Sequence, residues 1–276
     1  TVDSLIVGNF LGSSALAAVS SSGSLIFMLI GFLSGISAGA GVIVARFFGA
    51  GDEKNLQRAV HTTVAFGLVA GVLMTGVGVA LSPQILRWMD TPESVMRESV
   101  TYLQIYFAGS LGFVMYNVLV GILQAVGDSR HPLYYLIVSS VINLVLDLLF
   151  ITGFHTEVGG AAVATVISQI VSALLCFWQL LRTKESYGLK IRKIRFDKGI
   201  LVQIIKIGLP SGVQNSIIAF ANVIVQSNIN AFGEMAMAGY GAYTKVEGFG
   251  FLPINSFTMA LTTFVGQNLG AKQEER

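Results

Sequence analysis

The chain has 276 residues, of which 53% are hydrophobic and only 12% charged, with a mean hydropathy of +0.71 and a formal net charge of +2. That balance excludes an ordinary soluble domain and describes an all-α polytopic membrane protein. Cys176 is the only cysteine, which excludes a disulfide framework and a cysteine metal site.

A spanning helix needs about 20 mostly apolar residues. Runs of that kind predict spans at 16–45, 60–82, 99–123, 132–153, 159–181, 200–230 and 237–265, with residues 1–11 as the tail of one more. The first apolar stretch is too short to cross a bilayer and the chain closes on the charged segment GAKQEER. A fragment of a longer protein, truncated at both ends, is therefore expected.

Taken in chain order, the first residue that needs a reason is Asp3, in TVDSLIVGNFLG. An aspartate at mid-bilayer depth costs about 3 kcal/mol, while each good apolar neighbour returns only about 0.3–0.6 kcal/mol. The acid therefore requires a polar partner or an ion. The glycines of the next span, among them Gly35, Gly39 and Gly41, read as packing residues that permit close helix approach. The loop QAVGDSRHP places Asp128 or Ser129 where it caps the following helix, with Pro132 in its first turn.

The next span carries a second intramembrane acid, Asp147, in SSVINLVLDLLFITGF. Asn143 lies four residues earlier, so the two side chains share one helical face about a turn apart. An amide carbonyl and a carboxylate are hard oxygen donors suited to a hard cation such as Na⁺; a proton would neutralise the acids equally well. A polar clasp between helices is the bland alternative. Thr165 follows in the small-residue stretch GGAAVAT, where close packing turns its hydroxyl inward. His61, His131 and His155 fall at span ends and support neither a paired-histidine metal site nor an intramembrane protease.

Lys and Arg are unevenly divided among the loops. One set holds Arg46, Lys54, Arg58, Arg130, the basic run from Arg182 to Lys198, Lys272 and Arg276; the alternate loops hold Arg87 and Arg97. The bias puts the first set in the cytoplasm. The stretch 183–199 is then a basic cytoplasmic linker between an N-terminal lobe, 1–182, and the start of a C-terminal lobe, 200–276. A positive-inside linker explains its charge without a nucleic-acid partner.

An internal repeat appears when the chain is slid by 221 positions. Asn9 falls on Asn230, Gly12 on Gly233, Ala15 on Ala236, Ala17 on Ala238, Gly49 on Gly270, Ala50 on Ala271 and Glu53 on Glu274. Six spans separate the equivalent helices, an even number, so both copies enter the membrane in the same direction and the repeats are parallel.

With these residues in place, VDSLIVGNFLGSSALAAV, QAVGDSRHP, VGGAAVAT, GLPSG and PINSFTMALTTFVGQNLGA, in order along the chain, resemble the multidrug and toxic compound extrusion (MATE) family, most closely its DinF-like branch. The resemblance implies twelve helices in two six-helix lobes, of which this chain holds about eight. It implies export of small organic, often cationic compounds by alternating access, in exchange for inward H⁺ or Na⁺. It also implies a monomer without cofactor or enzymatic activity, in a bacterial inner membrane. The family's first-lobe cation site is matched residue by residue by Asp3, Asn143, Asp147 and Thr165; the side chains that hold substrate are not identified. One departure is that GLPSGVQNSIIAFANVIVQSNINAF contains no acid, and Asp3 maps through the repeat onto Ile224. Two other readings are a lipid-linked precursor flippase, which would want a more cationic cleft than these spans supply, and a non-transport membrane receptor or scaffold.

Overall fold

The computed structural model describes residues 13–88, 91, 93–154, 156, 158–230, 232, 234–273 and 275. Asp3 with the rest of the 1–11 stretch, His155, and Asn9, Gly12, Gly233 and Glu274 of the repeat lie outside the described residues. Every regular element among those described is a helix: α1 Ser13–Gly49, α2 Glu53–Trp88, α3 Glu93–Ala108, α4 Ser110–Ala125, α5 Arg130–Leu148, α6 Val158–Arg182, α7 Lys198–Asn230 and α8 Glu234–Gly270. Among the described residues six helices are long and apolar enough to cross a membrane, or seven if the bent pair α3 and α4 counts as one span. The protein is an integral, multi-pass membrane protein.

The expected single span at 99–123 is corrected by that break. Here α3 and α4 bend by 46° at Gly109. A Cβ at Gly109 would collide with the side chain of Val166 on α6, so glycine lets α6 press into the kink. Hydropathy continues unbroken through the bend, so the apolar pattern passes over it; only the Gly109–Ser110 pair marks the place.

Close approach of α1 and α7 rests on four glycines spaced one turn apart. A Cβ on Gly35 falls onto the Gly212 backbone and one on Gly39 onto that of Gly208; conversely, a Cβ on Gly212 would lie 2.7 Å from the Phe32 carbonyl oxygen and one on Gly208 2.9 Å from the Ile36 Cα. Such small-residue pairs bring backbones together where lipid supplies no hydrophobic driving force. Asn215 adds a clasp, its Nδ2 donating to the Gly31 carbonyl at 3.1 Å.

The carboxy-terminal ends of α1 and α8 meet reciprocally. A Cβ on Gly49 would strike the Gln267 backbone and one on Gly270 the Arg46 carbonyl. The offset of 221 exchanges these pairs, so the contact has the form of a local twofold. The turns that follow agree: Asp52 N–H donates to the Phe47 carbonyl at 3.2 Å and Gln273 N–H to that of Asn268 at 2.9 Å. Gly51 (φ 64°) and Lys272 (φ 56°), also 221 apart, both adopt the left-handed conformation. The two helices end side by side at the same face of the bundle, as parallel repeats require.

Gly51 has open space around a Cβ position, so Gly51→Ala probes backbone conformation alone. It is expected to cost about 1 kcal/mol, and Lys272→Gly to regain a similar amount. Unfolding midpoints of the two variants in detergent check both signs.

The loops read as cytoplasmic converge on one end of the bundle. Gln267 Nε2 donates to the Ala125 carbonyl at 2.8 Å, joining the ends of α8 and α4. Beneath this end lies the main apolar core, which includes Ile43, Val44, Leu56, Val60, Leu119, Ile122, Leu180 and Ile204. Asp52 caps α2: Oδ1 accepts the Asn55 N–H at 3.1 Å and Oδ2 the Asn55 side-chain amide at 2.7 Å. Those bonds hold its carboxyl below the usual value of 3.8. Asp128 caps α5, accepting the His131 N–H on Oδ1 at 3.2 Å, with the His131 ring 2.6 Å from Oδ2.

Candidate ion-coupling site

The outer face of α5 is apolar and exposed, with Leu133, Leu136, Ile137, Val141, Leu144 and Val145 turned outward. Its inner face carries Ser139, Asn143 and Asp147 at four-residue intervals. Asp147 is fully buried, at 0% exposure. The helical period alone produces this division, because three polar residues spaced by four fall along one stripe.

Two contacts fix α5 against α6. Ser139 Oγ donates to the Ser168 carbonyl at 2.7 Å, and a Cβ on Gly160 would lie 3.2 Å from the Phe150 Cβ. The helices therefore run antiparallel. Counting along both from the Ser139–Ser168 bond brings Asn143 level with Ala164 and Thr165, and Asp147 level with Gly160 and Ala161. Ala161, Ala162 and Ala164 are buried, so small residues line the approach to the acid. Three of the four predicted residues thus stand on facing helices at neighbouring levels. The fourth, Asp3, lies outside the described residues.

The Asn143 Nδ2 is buried and has no hydrogen-bond partner among the described residues. Leaving such a donor unsatisfied costs about 1–3 kcal/mol, so the amide holds bonding capacity in reserve beside Asp147. Among the described residues no group of three or more His, Cys, Asp or Glu side chains gathers. The donor set is one carboxylate, one amide and one hydroxyl, which favours a hard cation or a proton over a transition metal.

Sequence reasoning missed two neighbours of the site. Immediately after Asp147 the helix widens into a π turn, Leu149–Gly153, a feature that often sits at functional positions. Thr152 donates to the Leu148 carbonyl at 2.5 Å and Thr156 to that of Phe150 at 2.7 Å, bonding carbonyls around the irregular turn. The second is a polar ladder on α6, where Ser168 donates to the Thr165 carbonyl at 2.8 Å and Ser172 to that of Gln169 at 3.0 Å. Its signal was present in the spacing of Thr165, Ser168, Gln169 and Ser172 along one stripe.

The MatE family model matches residues 1–149 and 210–276. The chain belongs to the MatE family. Among curated proteins it is 33% identical over 282 residues to the "Probable multidrug resistance protein YoeA" of Bacillus subtilis, an alignment that takes in 100% of this chain and 61% of that protein. Among solved structures, "Crystal structure of MATE in the bent conformation" superposes with a TM-score of 0.92 at 26% identity, covering 99% of this chain and 61% of the other. An outward-facing multidrug resistance MATE transporter of the MOP superfamily superposes at 0.89, also at 26% identity, covering 99% of this chain and 62% of that one. This MatE chain spans about three fifths of the length of the relatives it matches, and its helices follow the MATE fold.

Proposed function

We propose that this MatE chain provides the first lobe, and the opening of the second, of an antiporter that exports small organic, often cationic compounds in exchange for inward H⁺ or Na⁺. The observation that carries the proposal is Asp147, fully buried in a spanning helix one turn from Asn143 and level with the small-residue stretch that ends at Thr165. In this reading residues 1–182 form the first lobe, 183–199 the cytoplasmic linker and 200–276 the start of the second lobe.

Asp147, Asn143 and Thr165 hold the coupling ion together with Asp3. Export follows from differential affinity, since a ligand shifts a two-state equilibrium only by preferring one state. A proton or Na⁺ at the acids removes negative charge from the first-lobe cavity, and a cationic substrate then binds less tightly and leaves outward. The membrane potential supplies about 2.3 kcal/mol per elementary charge per 100 mV. Within this chain the coupling acids belong to the first lobe, as the α7 segment contains none. The protein acts as a monomer, and a bacterial plasma membrane as its site fits the relatives' own sources.

The test is dye export from proteoliposomes containing the full-length protein, with H⁺ and Na⁺ gradients imposed separately. Export under one gradient identifies the ion. No export under either, with the protein folded and inserted, would remove antiport as the function.

A further inference from the structure

The segment joining α6 to α7 is more than a loop with the expected sign of charge. It folds back onto the first three turns of α2 and is fixed there at several points. Gln57 Nε2 donates to the carbonyls of Ser186 and Gly188, the latter at 3.0 Å. His61 accepts the Lys190 N–H on Nε2 at 3.0 Å, which leaves the ring proton on Nδ1, 2.6 Å from the Gln57 carbonyl. Asp197 N–H donates to Thr62 Oγ1 at 3.0 Å, and the Asp197 carboxylate pairs with Arg58 at 3.8 Å. Leu189 is buried in the apolar core beneath.

These ties leave a cavity of about 650 Å³ between α2 and the linker, walled by Lys54, Arg58, Arg192, Lys193 and Arg195 with Glu53 and Asp197 as the only acids among the described residues that line it. Five cations face two carboxylates, one of which is already paired to Arg58. Among the described residues Lys54, Arg192, Lys193 and Arg195 enter no ion pair. A linker obeying only the positive-inside bias would spread its charges into solvent. Here the pinned backbone holds them around one concavity against their mutual repulsion. The cavity also lies at the end of the bundle where the spanning helices α2 and α7 begin, at Glu53 and Lys198.

We propose that this groove is a binding site for a phosphate-bearing anion, supplied either by the headgroup of an anionic phospholipid or by a soluble phosphate. Arginine presents a planar fork that matches phosphate oxygens in pairs, and the lysines add compact charge. The volume admits a diphosphate. An occupant would bridge α2 and the linker and so tie the inter-lobe connection to the first lobe. The inference goes beyond the antiport reading and does not rest on it.

The experiment uses the full-length protein in neutral detergent, with native mass spectrometry of added cardiolipin, phosphatidylcholine and, in a separate arm, inorganic pyrophosphate. Wild type is compared with Arg192→Ser/Lys193→Ser/Arg195→Ser and with a control off the groove, Lys184→Ser/Lys272→Ser. Each Lys or Arg near an anionic surface contributes about fivefold in affinity, so the triple variant is expected to bind on the order of a hundredfold more weakly. The control should match wild type. Loss confined to cardiolipin assigns a lipid headgroup; loss confined to pyrophosphate assigns a soluble ligand; either supports the site. Binding of every probe unchanged in the triple variant, equal loss in the control, or no binding of any anionic probe by wild type would overturn it. The three positions are exposed, and Arg192→Ser and Arg195→Ser singly, each expected to weaken binding about fivefold, carry the same test should the triple variant fold poorly.

Discussion

Asp147→Asn is expected to abolish gradient-driven export while leaving the protein folded and inserted. Asparagine has nearly the same shape and can keep hydrogen bonds, but it can neither take up a proton nor offer a full negative charge to a cation. Removing an ionisable group from a buried position in a spanning helix relieves a cost of about 3 kcal/mol whenever that group is charged. Stability should therefore hold or rise while transport falls to the leak rate. That opposition separates coupling from a polar clasp between helices, which predicts lower stability as its first effect. Unfolding midpoints and dye export measured on the same preparations decide between them.

The second large effect belongs to packing. Gly212→Leu is expected to destabilise the bundle by about 3 kcal/mol or more, the upper range for overpacking a tight core. The reason is what lies in the way: a Cβ at this position would meet the Phe32 carbonyl oxygen at 2.7 Å and the edge of its ring at 3.1 Å. Backbone cannot step aside as a flexible side chain can, so α1 and α7 must separate. Gly76→Leu is the matched control, because a Cβ there meets nothing within 4 Å. Yield and midpoint should collapse for the first and stay near wild type for the second.

The two variants also mark what the sequence made legible. Asp147 and Asn143 stood out because a carboxylate in an apolar run is expensive and four-residue spacing is unambiguous on a helix. Gly35 and Gly39 were recognisable as packing residues, yet their partners Gly208 and Gly212, some 170 positions on, were not. Spacing describes one helix; it does not say which other helix lies against it. The repeat did reach across the chain, and its offset recovers the reciprocal contacts of Gly49 and Gly270 and the matching left-handed turns at Gly51 and Lys272.

Departures from regular helix were hidden for a different reason. The kink at Gly109 and the π turn after Asp147 change the course of the helix without interrupting hydropathy, so a pattern of apolar residues passes over both. The kink follows from Val166 filling the space a side chain would need. The folded linker was hidden likewise, since its charges fit a topological rule well enough to need no second explanation. Its attachment depends on the amide of Gln57, the ring of His61 and the hydroxyl of Thr62, polar groups on α2 whose spacing along one helix does not name a partner some 130 positions on.

Antiport through the first lobe requires that ion and substrate oppose each other's binding, and linkage makes the opposition reciprocal. The most direct measurement is the affinity of the full-length protein for a fluorescent cationic dye, titrated against Na⁺ at fixed pH and against pH without Na⁺, for wild type and Asp147→Asn. The coupling ion should weaken dye binding to wild type progressively, and that dependence should vanish in Asp147→Asn. Dye affinity in wild type that ignores both ions, or an ion dependence that survives unchanged in the variant, would contradict coupling at Asp147.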